Sequence, residues 1–294
     1  MNICLIIIFN HRYDQVLPKL RKLYKNRFSN IKFLVPFYDG TDEDVITVYE
    51  SSYQFQGFLT QGFRDFYNEK FDYYFFIADD MIISPNITEY NILDELGINP
   101  GEDFITQTRA LNEESGIQWS HVRFAYKPFT SRGVNYKQAL PSYEEALIRM
   151  KSYFGEFTED YNESFFKMNN AIDEKLKNTF IENNKGTAIY YPLAKGYSDL
   201  FLIHKDTIKE FVRICGIFSA MNLFVEIAIP TALILTSKKI KVLENTRYKY
   251  ILMWTPEKVA ELEMKYNYNL NEFLECFDLN MLMYHPVKLS KWDI

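Results

Sequence analysis

The chain opens on an unbroken apolar run, Ile3-Cys4-Leu5-Ile6-Ile7-Ile8-Phe9, closed by Asn10-His11-Arg12. A β-branched run with no polar alternation is the pattern of a strand buried on both faces, which implies a parallel sheet covered on each side by helices. Val16, Leu17, Leu20 and Leu23-Tyr24 then recur at helical spacing among Lys and Arg, and Ile31 to Phe37 forms a second apolar run ending in Tyr38-Asp39-Gly40. A helical segment is expected from about Tyr53 to Tyr67. It leads into a third buried strand, Asp72 to Ala78, that stops abruptly at Asp79-Asp80. The first hundred residues therefore read as the repeating strand-helix unit of an α/β nucleotide-binding layer.

The middle of the chain changes character. Tyr143, Leu147, Met150 and Phe154, then Phe165, Met168, Ile172, Leu176 and Phe180, trace apolar stripes on two charged helices, so 130–185 is expected to be a helical insertion. Strand patterns return at Thr187 to Tyr191 and Asp199 to His204, followed by helices near Asp206 to Phe218 and Leu223 to Leu235. The expected organisation is one catalytic domain over 1–294, with a nucleotide-binding half at 1–110, the insertion, and an acceptor-side half with a C-terminal tail at 186–294. With 11 Gly and 10 Pro, neither residue is dense enough to mark a flexible linker.

Charge narrows the partners. There are 33 basic against 39 acidic side chains, a formal charge of -6, and a pI near 5.4, which argues against a nucleic-acid partner because Lys and Arg are scattered rather than gathered into a basic domain. The three cysteines, Cys4, Cys215 and Cys276, lie too far apart for a disulfide framework or a clustered zinc site and suit a reducing compartment. No stretch approaches the roughly 18 apolar residues of a membrane helix, and the first strand is too short for a signal peptide. A cytoplasmic location is expected, with peripheral membrane association left open.

The chemistry concentrates on Asp79-Asp80. Ligands of open α/β sheets bind beyond the carboxyl ends of the strands, and this pair stands where an apolar strand has just left the core. Carboxylates so placed suit a hard divalent cation, Mg²⁺ or Mn²⁺, that takes one or two protein oxygens and keeps other positions for substrate phosphates. Two solvated turn residues would be the bland alternative.

Phe76-Ile77-Ala78-Asp79-Asp80-Met81-Ile82-Ile83-Ser84-Pro85 resembles the metal motif of the GT-A-fold glycosyltransferases, the Asp-x-Asp element written Glu-Asp-Asp in the Golgi N-acetylglucosaminyltransferases. Met81 and Pro85 match the apolar residue and the proline that follow the acids, and Ala78 departs from the first acidic position. The resemblance implies a GT-A-like, Rossmann-type mixed and mostly parallel sheet flanked by helices, with Asp80 as direct metal ligand and Asp79 closer to ribose, phosphate or water. It also implies a nucleotide between the ends of the first two strands. Phe9, Asn10, His11 and Arg12 stand at the first, and Phe37, Tyr38 and Asp39 at the second, offering aromatic faces for a base and a carboxylate for ribose.

The C-terminal stretch from His285 through Lys291-Trp292 is similar to the His-x-x-Gly-x-x-Lys-Pro-Trp tail of glycogenin-like and lipopolysaccharide galactosyltransferases, with Lys288 in place of the Gly and no Pro. That likeness implies His285 as a metal ligand and Lys291, with Lys288, as partners of the diphosphate. For the proton of the acceptor, an inverting enzyme needs a carboxylate base. Glu226, inside the apolar Phe224-Val225-Glu226-Ile227-Ala228, is favoured over Asp199 of Gly196-Tyr197-Ser198-Asp199, which opens a strand. The resemblance thus implies transfer of a sugar from a nucleoside diphosphate donor, UDP-sugar favoured, to a glycan or lipid-linked acceptor in polysaccharide biosynthesis, dependent on Mn²⁺ or Mg²⁺. A retaining enzyme of the same fold, a nucleotide-sugar nucleotidyltransferase and a non-catalytic nucleotide-binding relative remain as alternatives.

Overall fold

The computed structural model describes residues 1–111, 135–155 and 191–293. The expected strand-helix opening is present: β1 (Ile3–Ile8), α1 (Leu17–Tyr24), β2 (Asn30–Pro36), β3 (Val45–Val48), α2 (Gln56–Phe66) and β4 (Tyr73–Ala78). After β4 come the short β5 (Ile82–Ile83), α3 (Ile92–Leu96), β6 (Asp103–Ala110), α4 (Tyr136–Ala139) and α5 (Tyr143–Phe154). The second half contains β7 (Ala194–His204), α6 (Lys205–Ala220), α7 (Val225–Thr236), β8 (Ile240–Val242), β9 (Lys249–Leu252), α8 (Pro256–Lys265), α9 (Leu270–Glu275) and β10 (Met281–His285).

Seven strands form the central sheet in the order β3-β2-β1-β4-β7-β6-β8. β1 runs parallel to β2 and β4, β2 to β3, and β6 to β8, while β7 is antiparallel to both of its neighbours. The architecture is therefore mixed α/β with a mostly parallel sheet. Every residue of β1 and β4 is buried, and alternate side chains enter separate cores. Ile3, Leu5, Ile7, Phe75 and Ile77 pack with α1, α8 and α9 on one face; Cys4, Ile6, Ile8, Tyr74 and Phe76 pack with α2, α6 and α7 on the other. Each such fully buried aliphatic or aromatic side chain contributes about 1.5–3 kcal/mol of transfer free energy, which is why the unalternating runs read so clearly as central strands.

A second, three-stranded sheet, β5-β10-β9, sits beside the exit of β4. β10 is antiparallel to β5, through Met283 opposite Ile83 and Tyr284 opposite Ile82, and parallel to β9. This sheet and α8 and α9 were not legible in the hydrophobic pattern; the strands are only two to five residues long.

Of the expected insertion, α4 and α5 lie among the described residues, and α5 starts from a capping box between Ser142 and Glu145. The expected helix carrying Phe165 to Phe180, and positions 187–190 of the expected strand at Thr187 to Tyr191, lie outside them. No described helix is long and apolar enough to cross a membrane.

β7 departs from its expected start. It begins at Ala194, so Asp199 lies inside the strand rather than at its opening. Ile105 faces Phe201 and Gln107 faces Tyr197, so the single residue Thr106 of β6 stands against Ser198, Asp199 and Leu200 of β7. The Thr106 hydroxyl donates to the carbonyl of Leu200 at 3.0 Å. Gly196 precedes the bulge because a Cβ there would lie 2.2 Å from the Gln107 carbonyl oxygen. A bulge of this kind bends the strand and re-aims a side chain.

Candidate functional site

The bulge aims Asp199 at the turn that ends β4. There the Asp79 N–H extends the ladder to the Ile8 carbonyl at 2.9 Å, which registers the acidic pair to the end of β1. The Asp79 carboxylate accepts the Asn10 backbone N–H at 3.0 Å, and the Asn10 side-chain amide reaches Asp80 Oδ1 at 3.5 Å. Asn10 thus ties the exit of β1 to both acids.

The third component comes from the end of the chain. Pairing of β10 with β5, and the Val287 N–H donated to the Asp80 carbonyl at 2.6 Å, carry His285 into the same turn. Its Nε2 lies 3.1 Å from Asp80 Oδ1 and 3.9 Å from Asp199 Oδ2. The imidazole is buried and meets two rings edge-on, Tyr197 at 5.8 Å and Trp254 at 6.1 Å between centroids. Glu226 enters from the first turn of α7, a helix buried on every side from Val225 to Leu235. Pro230 in that helix supplies no N–H to the Glu226 carbonyl. Glu226 is 4% exposed and its Oε2 has no hydrogen-bond partner.

Burial and mutual repulsion split these acids into two protonation classes. Burial, then the charge of Asp80, drives the Asp79 carboxyl well above its ordinary pKa, whereas Asp80, although burial opposes its charge, is held below by His285. Burial alone would lower the His285 pKa, but Asp80, then Asp199 and Asp79, raise it to about 9, so the ring is cationic at neutral pH. Glu226 is pushed well up by burial and then by Asp199, which keeps it protonated. Asp199 is also shifted upward, by burial and by the charge of Asp80, with His285 and the Tyr197 hydroxyl opposing the rise. The Tyr197 hydroxyl faces Asp199 without closing a well-formed hydrogen bond. Glu226 Oε2 thus lacks a donor, whereas Asp199 faces both His285 and the Tyr197 hydroxyl.

Other expected residues are placed differently. Phe9 is fully buried in the core against Phe33 at 6.2 Å, so its ring offers no face to a base. His11 is exposed beside Tyr13. Arg12 is paired with Asp39 and with Asp14, linking the loops after β1 and β2. The Tyr38 ring folds over its own loop, where a Cβ at Gly40 would strike its hydroxyl. Two exposed aromatics meet at this edge, Phe37, with φ of 55°, and Tyr49, edge-on at 5.9 Å. Lys291 is turned away: its ammonium pairs at 2.9 Å with Glu263, which is 2% exposed. Lys19 holds the same tail by donating to the carbonyls of Leu289, at 3.0 Å, and Trp292. Lys291, expected over a diphosphate, is engaged here by Glu263, and Lys288 and Lys291 are both exposed on the tail.

No protein-family model matches this chain, and no curated protein is similar to it. Its chemistry must be argued from the site. Two cis ligands of a divalent cation with bonds near 2.1 Å stand about 3 Å apart. The 3.1 Å between Asp80 Oδ1 and His285 Nε2 meets that spacing once the imidazole proton has left. One carboxylate oxygen and one imidazole nitrogen suit Mn²⁺ better than the harder Mg²⁺. Among the described residues, no three His, Cys, Asp or Glu side chains are grouped closely enough to hold a metal by themselves. Such a cation would therefore take its remaining positions from water or ligand oxygens. Tyr197 and Trp254 escaped the sequence reading; the glycine before Tyr197 in a strand pattern was the available signal for the first.

Proposed function

We propose that this protein is a GT-A-type glycosyltransferase that moves a sugar from a nucleoside diphosphate donor, UDP-sugar favoured, to a glycan or lipid-linked acceptor with inversion. The observation that carries the reading is the meeting of Asp80 and His285 across 205 positions at a strand's carboxyl end, at a separation suited to a divalent cation. Asp80 and His285 would hold Mn²⁺ or Mg²⁺, which when bound would offset charge developing on the diphosphate leaving group.

The chain's own residues supply the rest. Asn10 fixes both acids, Lys288 reaches phosphate oxygens, and Phe37, rather than Phe9, faces the base. Asp199 takes the proton of the acceptor hydroxyl, aimed by the bulge and faced by Tyr197. The loop after β1, Asn10-His11-Arg12, carries no glycine-rich phosphate cradle of the kind a nucleotidyltransferase uses.

Release of UDP from a panel of UDP-sugars with Mn²⁺ tests the reaction. One sugar is expected to be turned over, with Asp199→Asn slowing release. A panel in which no nucleotide sugar binds or reacts would overturn it.

A further inference from the structure

Asp199 reaches the site from a short stretch of β7 that no ladder holds. Leu200 is in register with Ile77 of β4, and Tyr197 with Gln107 of β6, but Ser198 and Asp199 between them have a register partner in neither strand. The bulge also breaks the alternation of faces. Tyr197, Leu200 and Leu202 enter one core, Phe201 and Ile203 the other, so two residues three apart in sequence share a face. A carboxylate carried on two unladdered residues needs another constraint to keep a single orientation.

Thr106 supplies one from the facing strand. It is the single β6 residue set against the bulge, and its hydroxyl donates to the Leu200 carbonyl at 3.0 Å. Thr106 and Leu200 are both fully buried, so no bulk water competes for that carbonyl. Leu200 is thus held from two sides, by register with Ile77 and by the Thr106 hydroxyl. Ile77 stands two residues before Asp79, and Leu200 directly follows Asp199. The same two contacts therefore fix Asp199 against the acidic turn, where its Oδ2 lies 3.9 Å from His285 Nε2.

From this geometry we propose that Thr106 is a positioning residue whose hydroxyl, acting through the Leu200 carbonyl, sets where Asp199 stands relative to Asp80 and His285. The inference rests on the proposed glycosyl transfer with Asp199 as base and adds the residue that orients that base. A donor is required at position 106, not only bulk. Valine fills the same space and leaves the buried carbonyl unpaired, whereas serine keeps the donor and loses a methyl group.

Initial rates of UDP release from UDP-glucose, UDP-galactose and UDP-N-acetylglucosamine, with Mn²⁺ and with lactose as acceptor, test this in the full chain. For the donor that wild type turns over, Thr106→Val and Thr106→Ala are expected to lower kcat by about 10- to 100-fold, while KM and UDP–Mn²⁺ affinity stay within about twofold. Thr106→Ser should recover most of the rate. In an Asp199→Asn background, Thr106→Val should cost no more than about twofold, because the group it orients is already gone. Full kcat in Thr106→Val, an equal loss in Thr106→Ser, or an undiminished loss in the Asp199→Asn background overturns the positioning role. So does a failure of Thr106→Val and Thr106→Ala to fold by circular dichroism, which would assign the hydroxyl to stability. A wild type that releases no UDP also overturns it, and if that protein fails to bind UDP with Mn²⁺, the proposed function falls as well.

Discussion

The His285 imidazole and the Asp80 carboxylate, 205 residues apart in sequence, lie 3.1 Å from each other because β10 pairs with the strand that directly follows the acidic turn. The contact makes the C-terminal segment part of the site. It is locked there by buried Trp292, by Lys19 on two tail carbonyls and by Lys291 on Glu263. Anchoring of this kind would suit the preorganised electrostatics that the proposed transfer needs.

Anchoring, not phosphate binding, is the expected role of Lys291. Lys291→Met leaves Glu263, 2% exposed, without its cation, and stability should fall, though less than for a fully buried pair because the lysine itself is half-exposed. Denaturant unfolding should show this loss while UDP–Mn²⁺ affinity, measured under folding conditions, stays at the wild-type value. A variant that keeps full stability but binds nucleotide poorly would return Lys291 to the diphosphate.

Glu226 has its folded-state pKa raised by burial and by Asp199. A carboxyl raised in this way contributes fully to stability below its unfolded value, about 4.3, and that contribution is lost as pH rises through the folded value. Glu226→Gln removes the titration. Relative to wild type, its melting temperature should therefore improve from pH 5 to pH 8, with a gain on the order of 1 kcal/mol, about 2 °C, at the alkaline end. Parallel melting curves for the two proteins across this range would show that Glu226 does not titrate abnormally.

Asp199 and Glu226 should differ as bases. Asp199→Asn is expected to slow sugar transfer by about 10²–10⁴ with nucleotide affinity kept, and Glu226→Gln to slow it much less. Single-turnover rates with saturating donor separate the two. The reverse order would restore Glu226 as the base.

The central strands were legible because β1 and β4 are buried on both faces, a condition that leaves no polar position in Ile3 to Ile8 or Tyr73 to Ala78. Helix α7 was legible for the same reason, as a long apolar segment, and α6 from the helical spacing of its apolar face. Asp79, Asp80, Asp199, Glu226 and His285 were each singled out from local context, and the fold brings them to one place. What local pattern could not carry was long-range pairing. The β7 bulge that turns Asp199 inward depends on register with β6, and the β5-β10-β9 sheet joins strands of two to five residues, too short to show a clear period. Lys291 illustrates the other limit, since spacing from His285 gave no hint that Glu263 would be buried within its reach.

Calorimetric titration of UDP into the full-length chain, with EDTA and then with Mn²⁺, tests the cation site most directly, in wild type, Asp80→Asn and His285→Ala. Wild type should bind UDP weakly without the metal and at least tenfold more tightly with it, and each substitution should abolish most of that gain while leaving the far-ultraviolet circular dichroism unchanged. Equal UDP affinity with and without Mn²⁺ in wild type, or a full Mn²⁺-dependent gain in Asp80→Asn, would contradict a metal-nucleotide site built on Asp80 and His285.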